Sequence, residues 1–252
     1  MFRVKGHELD LATFDNKLLN GLDFCRKVYD MFDQVKDGPG GVAKLRLRPT
    51  KKEKRLIEEL IPIARYVQAR YREGRCIKVR WLSRSQPYDA VLWSSGSLVE
   101  QHMAPRRIFV EVTTSVHQDE YLARRLLHER GRLFGVKGIL KDKKTGAIVS
   151  KPYVRTNDEL ATDLANQILE RLKSKSQKKY SSGTVLVVSC VPNSPPVLDS
   201  EWYDAVERVK NVQIFLPFRE VFLLDLIDSH STTLYGDRKC RLSPGHTNHG
   251  IT

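Results

Sequence analysis

Residues 87–93, Pro-Tyr-Asp-Ala-Val-Leu-Trp, and residues 108–113, Ile-Phe-Val-Glu-Val-Thr, decide how the rest of the chain is arranged. Both stretches are rich in β-branched and aromatic residues, a composition typical of strands. Each stretch also contains one carboxylate, Asp89 in the first and Glu111 in the second. A carboxylate in an apolar strand costs free energy unless it is paired. We therefore expect the two acids to lie on neighbouring strands, where they can share a divalent cation.

Each acid also has a simpler interpretation. Asp89 follows Pro87 by two residues, a spacing that is common in turns. Glu111 lies inside a strand, where it can face solvent at a sheet edge or pair with an arginine. The sequence alone leaves both alternatives open.

A capped helix and a strand precede the first stretch. Thr50, followed three residues later by Glu53, has the pattern of a capping box and predicts a helix start. Pro62 lies inside the helical pattern and predicts a kink. Residues 76–81 then alternate apolar and basic side chains, as a strand does. The helix carries one apolar stripe, formed by Leu56, Leu60, Ile63, Val67 and Tyr71.

Alternating helices and strands follow the second stretch. We predict a helix over 117–130, a projecting β-hairpin within 133–153, and a long helix from residue 157. The basic run 175–179 at the end of that helix is expected to be a solvated helix end. Residues 184–190 are continuously apolar, as in a strand buried on both faces. A short helix to about residue 210 and a strand over 221–226 complete the pattern.

This order predicts an α/β fold with a mixed central sheet flanked by helices. The glycine-rich break at 37–41 suggests an N-terminal helical appendage over 1–41, or equally a packing element of the same domain. Residues 42–228 form the predicted core, with the 133–153 hairpin as an insertion. The polar residues 229–252 are expected to be a flexible tail.

The charge of the chain indicates a polyanionic partner. The formal net charge is +13, and residues 42–80 contain thirteen Lys and Arg against four Asp and Glu. Residues 199–228 have the opposite balance, three against seven. Because the positive charge is concentrated beside the two acid-bearing strands, we expect a nucleic acid as partner.

Composition excludes several other classes. No apolar run approaches the roughly 18 residues that a membrane span needs, so we expect no membrane partner. The four cysteines are widely spaced, which argues against a zinc site and against a disulfide framework. We expect a cytoplasmic protein.

The predicted order resembles the α-β-β-β-α-β core of the PD-(D/E)xK nuclease superfamily, the restriction endonuclease-like proteins. In that superfamily an Asp opens the second core strand, and an acid-x-Lys triplet lies on the third. Asp89, after Pro87 and Tyr88, matches the first motif, and Glu111 stands where the second begins. The resemblance spans roughly residues 50–190 and rests on short motifs.

The resemblance implies a metal site and catalytic residues. Asp89 and Glu111, with the carbonyl of Val112, would hold Mg²⁺ or Mn²⁺. Some members add a Glu from the first helix, for which Glu53 and Glu59 are candidates. Others place a Gln and a Tyr on the following helix, which Gln118 and Tyr121 approximate with a spacing one residue short.

One position departs from the family pattern. Thr113 occupies the place of the motif lysine, and a threonine hydroxyl positions water but brings no positive charge. Lys78 on the preceding strand is a candidate replacement. His117 is a candidate base or phosphate contact.

The sequence thus predicts a metal-dependent nuclease that hydrolyses phosphodiester bonds in DNA. Two alternatives remain: a catalytically degenerate nuclease-fold protein that binds nucleic acid, and a protein-interaction module. A homodimer or a protein partner is compatible with each. The residues expected to contact phosphates are Lys51, Lys52, Arg124 and Arg125.

Overall fold

The computed structural model describes residues 9–83, 86–117, 119–133, 137–142, 144–190, 198–212, 214–225 and 230–235. Gln118 therefore lies outside the described residues. The described helices are α1 (Gly21–Asp37), α2 (Gly41–Leu47), α3 (Lys51–Arg55), α4 (Ile61–Arg70), α5 (Ser97–Glu100), α6 (Glu120–Arg130), α7 (Asn157–Ser176) and α8 (Asp199–Lys210). The described strands are β1 (Leu18–Asn20), β2 (Cys76–Trp81), β3 (Ala90–Ser95), β4 (Arg107–Ser115), β5 (Ile139–Lys141), β6 (Ile148–Ser150), β7 (Thr184–Cys190), β8 (Glu220–Asp225) and β9 (Ser231–Tyr235).

Seven of these strands form one mixed sheet in the order β1-β2-β3-β4-β7-β8-β9. Strands β1 to β4 are antiparallel neighbours, β4, β7 and β8 are parallel, and β9 returns antiparallel to β8. The parallel pair β4–β7 requires a crossover, which α7 supplies. The predicted α/β fold with a mixed sheet flanked by helices is confirmed.

Hydrophobic clusters cover both faces of the sheet. On one face α1, the turn Leu56–Leu60 and α4 pack against β2, β3 and β4, and Phe24, Cys25 and Val28 of α1 belong to this cluster. On the other face α7 and α8 cover β7 and β8. Every residue of β7 is buried, because helices lie on both of its sides. The small hairpin β5–β6 packs separately against α6.

The helix before β2 contains one π-helical turn, at Leu56–Leu60, between α3 and α4. The backbone N–H of Ile61 bonds to the carbonyl of Leu56, five residues back. Pro62 explains this turn, because proline has no N–H and its ring clashes with the carbonyl four residues earlier. The predicted kink thus takes the form of a wider turn. Such turns are frequent at functional sites.

Thr50 and Glu53 form the predicted capping box at the start of α3. Gly96 precedes α5 with a φ of +105°, and a Cβ there would lie 2.7 Å from the carbonyl oxygen of Gly74. Glycine is therefore required at this connection between β3 and β4.

Three segments differ from the sequence predictions. Helix α1 begins only at Gly21, because Asn20 caps it and residues 18–20 pair with β2. Helix α6 begins at Glu120, three residues later than predicted. Strand β9 lies within 229–252, the expected flexible tail, and its polar sequence gave no apolar pattern. Among the described helices, none combines the length and the apolar character needed to cross a membrane.

Candidate active site

Asp89 and Glu111 face each other across the β3–β4 pair. Ala90, the first residue of β3, pairs with Val110, and Asp89 and Glu111 are the next residues along the two chains. The Asp89 N–H donates to the Val110 carbonyl at 2.8 Å, and the Val112 N–H donates to Asp89 Oδ2 at 2.7 Å. Side chains at opposed positions lie on the same face of a sheet. The structure therefore brings the two carboxylates together.

Burial raises the pKa of Asp89 to about 7. The negative charges of Glu111 and Glu59 contribute to this rise, whereas the Val112 N–H and the Lys175 ammonium act in the opposite direction. A buried acid beside another acid resists ionisation until a cation arrives. The surroundings of Asp89 thus favour either a proton or a bound cation.

Lys175 contacts Glu111 from the crossover helix. Its Nζ atom lies 2.5 Å from Glu111 Oε1, and the two side chains are only 16% and 12% exposed. Lys175 belongs to the run that was expected to be a solvated helix end, and for this residue the expectation is wrong. The spacing of Leu164, Ile168 and Leu172 could have predicted that Lys175 faces inward. A residue three positions after Leu172 continues the buried face of α7.

Glu59 is the third acid near the pair. Its Oε2 accepts from Trp81 Nε1 at 3.1 Å. Burial raises the pKa of Glu59, and the charge of Glu111 contributes to the shift. Glu53, the other candidate on this helix, accepts instead from the Thr50 backbone N–H and hydroxyl. Of the two candidates, Glu59 is therefore the one coupled to the acid pair.

The hydroxyl of Tyr180 faces the same acids and was not predicted. The charges of Glu111 and Asp89, together with burial as the main cause, raise the pKa of Tyr180 to about 12. Its buried hydroxyl has no hydrogen-bond partner among the residues that the structure describes. The ring packs against Phe218, with centroids 4.8 Å apart.

Val112 and Thr113 continue strand β4 beside Glu111. The carbonyl of Val112 points to the same edge of the strand as its N–H, toward Asp89. Thr113 is half-buried and, two residues after Glu111, lies on the same face of the strand. Both residues are thus close to the acid pair.

Lys78 and His117 are not brought to this pair. Lys78 is exposed and pairs with Trp93, which is four residues, or about 13 Å, along the strand from Asp89. The ring of His117 accepts from the Asp119 N–H at 3.2 Å. Its positive form would also act on Glu120, whose pKa it lowers. The structure therefore places His117 in a neighbouring ionic cluster.

The predicted phosphate contacts have different surroundings. Arg124 is 18% exposed and bonds to Glu120 at 3.3 Å. Arg125 is 62% exposed and bonds to Glu129 at 2.7 Å. Tyr121 and Lys51 are exposed and Lys52 is half-buried. Arg124 is thus committed to a structural ion pair, whereas Arg125 is accessible.

The donor set fits a small divalent cation. Mg²⁺ is commonly bound through one or two carboxylates, with water completing its shell. Asp89, Glu111 and the Val112 carbonyl supply such oxygens. Within the described parts of the chain, no three side chains of His, Cys, Asp or Glu come together as a metal-holding group. Any cation here would therefore depend on backbone, water and substrate oxygens for its remaining ligands.

Comparison of the chain with known protein families, with curated proteins and with solved structures found no match.

Proposed function

We propose that this protein is a metal-dependent nuclease that hydrolyses phosphodiester bonds in DNA. The observation that carries the proposal is the proximity of Asp89 and Glu111 at the end of the β3–β4 pair, with Lys175 bonded to Glu111. Two carboxylates and one ammonium group in a basic protein suit a substrate whose charge is negative.

The arrangement of elements supports the resemblance to PD-(D/E)xK nucleases. Helices α3 and α4, the meander β2–β3–β4, the crossover α7 and the parallel strand β7 follow the order of that core. Asp89 stands immediately before the second core strand, and Glu111 lies on the third. The motif positions therefore coincide with the acid pair.

Each residue has a proposed role in this chemistry. Asp89, Glu111 and the Val112 carbonyl would hold the cation, and Glu59 would add negative charge nearby. When bound, Mg²⁺ stabilises the negative charge that develops on the phosphoryl oxygens. Thr113 stands at the position of the motif lysine. Lys175 takes the place of that lysine, because its ammonium group contacts Glu111 from α7.

Lys175 also sets the charge of the pair before a cation binds. Its contact with Glu111 brings a positive charge to the pair, and burial raises the pKa of Asp89 to about 7. Asp89 would bind a divalent cation in its ionised form, and its proton would pass to solvent. Cation binding is therefore expected to be favoured above about pH 7.

The partner and location follow from charge and thiol chemistry. The net charge of +13 favours a polyanion such as DNA. Cys25, Cys76 and Cys190 are free thiols, as in proteins of a reducing compartment. We propose a cytoplasmic location.

Cleavage assays test the proposal directly. Purified protein would be incubated with Mg²⁺ or Mn²⁺ and with plasmid, linear duplex, single-stranded DNA and RNA. We expect metal-dependent cleavage of DNA that Asp89→Asn and Glu111→Gln abolish while circular dichroism remains unchanged. Glu170→Gln, an exposed acid on α7, is the matched control and retains activity. Absence of cleavage of every substrate with both metals would contradict the proposal.

A second candidate function is nucleic-acid binding without cleavage. The presence of Thr113 at the motif position and the engagement of Glu111 by Lys175 both favour it. In that case neither metal stabilises the protein, and Glu111→Gln leaves DNA binding unchanged. A thermal unfolding assay with and without Mn²⁺ separates the two candidates.

A further inference from the structure

One face of strands β2, β3 and β4 carries arginine, lysine and aromatic side chains outside the hydrophobic core. On the opposite face Val79, Leu92 and Val110 lie in the core beneath α1, the turn Leu56–Leu60 and α4. On this face Lys78 and Arg107 are exposed, and Arg80, Trp93 and Phe109 are half-buried. We call these five residues the aromatic-basic face.

Strand register places the five side chains in two adjacent rows. Lys78, Trp93 and Arg107 occupy paired positions across β2, β3 and β4. Arg80 and Phe109 flank Val91 in the next row. Since opposed residues share a face, the two rows form one continuous surface.

Each aromatic ring on this surface is covered by an arginine. The guanidinium carbon of Arg80 lies 5.1 Å from the centre of the Trp93 ring, and that of Arg107 lies 5.1 Å from the Phe109 ring. Guanidinium groups over rings at the surface contribute little to stability, on the order of 0.5–1 kcal/mol. Three cationic and two aromatic groups side by side match the phosphates and bases of a polynucleotide better than they match a protein core.

We infer that the aromatic-basic face binds an unpaired strand of DNA, the choice of DNA resting on the proposed function. Bases stack on Trp93 and Phe109, and Lys78, Arg80 and Arg107 contact the phosphates. Duplex DNA buries the faces of its bases, so it cannot use the two rings. Charge complementarity and the partly exposed rings, of which Phe109 also packs against Tyr88, together select the unpaired strand.

The surface leads directly to the acid pair. Arg107, Phe109 and Glu111 alternate along the same face of β4, about 7 Å apart in succession. A strand lying on Trp93 and Phe109 therefore continues to Asp89 and Glu111. The surface thus makes single-stranded DNA, or a single-stranded branch of a larger DNA, the substrate class of the proposed site.

Tryptophan fluorescence gives a specific measurement. Trp81 and Trp202 are buried, at 0% and 2% exposure, whereas Trp93 is partly exposed. Addition of oligo-dT to the full-length protein, without metal, is expected to quench the emission of Trp93. Trp93→Phe removes the quenching but keeps a ring for stacking, so its affinity stays close to that of the original chain. Trp93→Ala lowers the affinity about 5-fold to 150-fold, the range for stacking of one base.

Matched variants and substrates complete the experiment. Phe215→Ala, at an exposed ring away from this face, leaves affinity unchanged. Arg107→Ala reduces the salt dependence of binding by about 0.7 in the logarithmic slope, and Lys144→Ala on the β5–β6 turn does not. Binding of duplex DNA or oligo-U at least as tight as that of oligo-dT overturns the inference. So does an unchanged affinity of Trp93→Ala.

Cleavage is measured separately, so the two proposals can fail independently. Quenching and binding without cleavage support the inference and contradict the nuclease. Cleavage that Trp93→Ala does not alter supports the nuclease and overturns the inference.

Discussion

Lys175 Nζ lies 2.5 Å from Glu111 Oε1, and this contact joins the last turn of α7 to the middle of β4. The two residues are 64 positions apart in sequence. Thr113, two residues from Glu111 on the same strand face, carries no charge. The positive group beside the acid pair is therefore supplied by a helix and not by the strand that carries the acid.

Replacement of Lys175 tests this relationship. Lys175→Met removes the ammonium group and keeps the apolar length of the side chain. We expect cleavage to fall about 100-fold to 1,000-fold, as is common when one preorganised charge is removed from an active site. Single-turnover cleavage at saturating Mg²⁺ measures the effect.

Lys173→Met on the same helix is the control, because its side chain is exposed. It is expected to cleave at the original rate. Equal rates for the two variants would show that Lys175 has no part in the reaction.

The raised pKa of Asp89 predicts how stability depends on pH. An Asp in the unfolded chain has a pKa of about 3.9, whereas folding raises that of Asp89 to about 7. Between these values the folded state keeps a proton that the unfolded state has lost. The free energy of unfolding of the metal-free protein therefore falls as pH rises from about 4 to about 7, by on the order of 3–4 kcal/mol from this residue.

Asp89→Asn isolates that contribution, because the amide resembles the protonated acid and can accept from Val112. Urea unfolding between pH 4 and pH 8 is expected to show a smaller decline for the variant. Glu59 and Glu120 also have raised pKa values, so they too make the free energy of unfolding fall as pH rises. Because both residues are unchanged in the variant, they contribute equally to the two curves. Parallel curves would mean that Asp89 titrates normally.

Cation binding should show the opposite pH dependence. Mn²⁺ binds the ionised carboxylate, so protons compete with it below pH 7. We expect about 1 mM MnCl₂ to raise the midpoint temperature of unfolding at pH 8 more than at pH 6. Glu111→Gln should lose the shift and Glu170→Gln should keep it. A shift that survives in Glu111→Gln places the cation elsewhere.

Two glutamates on one helix are expected to behave differently. Glu53→Ala breaks the capping box and should cost about 1 kcal/mol of stability. Glu59→Gln keeps an acceptor for Trp81 but removes a charge that raises the pKa of Asp89. The stability transition attributed to Asp89 should therefore move to lower pH in Glu59→Gln and stay in place in Glu53→Ala.

Urea unfolding across pH measures both effects in one experiment. If Glu53→Ala also moves the transition, the cap and the acid pair are coupled through the helix.

Two adjacent arginines on α6 offer a further contrast. Arg124 and Glu120 are mostly buried, so Arg124→Ala leaves a carboxylate without its partner and should cost about 1–3 kcal/mol. Arg125 is exposed, and Arg125→Ala should change stability by less than about 0.5 kcal/mol. DNA binding measured against salt should weaken for Arg125→Ala, because an accessible cation is lost. The assignment of Arg124 to a structural ion pair and Arg125 to DNA contact would be refuted if Arg125→Ala lost more stability and Arg124→Ala lost more DNA affinity.

Sequence reasoning recovered the sheet and the acid pair because their signals are local. Asp89 and Glu111 interrupt apolar strands, and residues 184–190 are apolar throughout. Lys175 was missed because its partner is distant in the chain, although its helical phase marked it as inward-facing. Tyr180 had no sequence signal, since a single tyrosine after a helix is common.

Strand β9 and the ionic cluster on α6 were hidden for different reasons. An edge strand with Ser231, Thr232 and Thr233 has little apolar character, so only its pairing with β8 reveals it. Arg124 looked like a phosphate contact because helical charges are usually solvated. Burial beside Glu120 is a property of tertiary packing and not of the helix itself.

The π-helical turn before Pro62 behaves as one extra residue in an otherwise α-helical segment. One added residue rotates everything before it by about 100° relative to α4. Without it, Glu58 and Glu59 would point in other directions, although both remained in the chain. The extra residue that Pro62 imposes thus orients Glu59 toward Trp81 and the acid pair. Deletion of one residue together with Pro62→Ala would straighten the helix and turn Glu59 away.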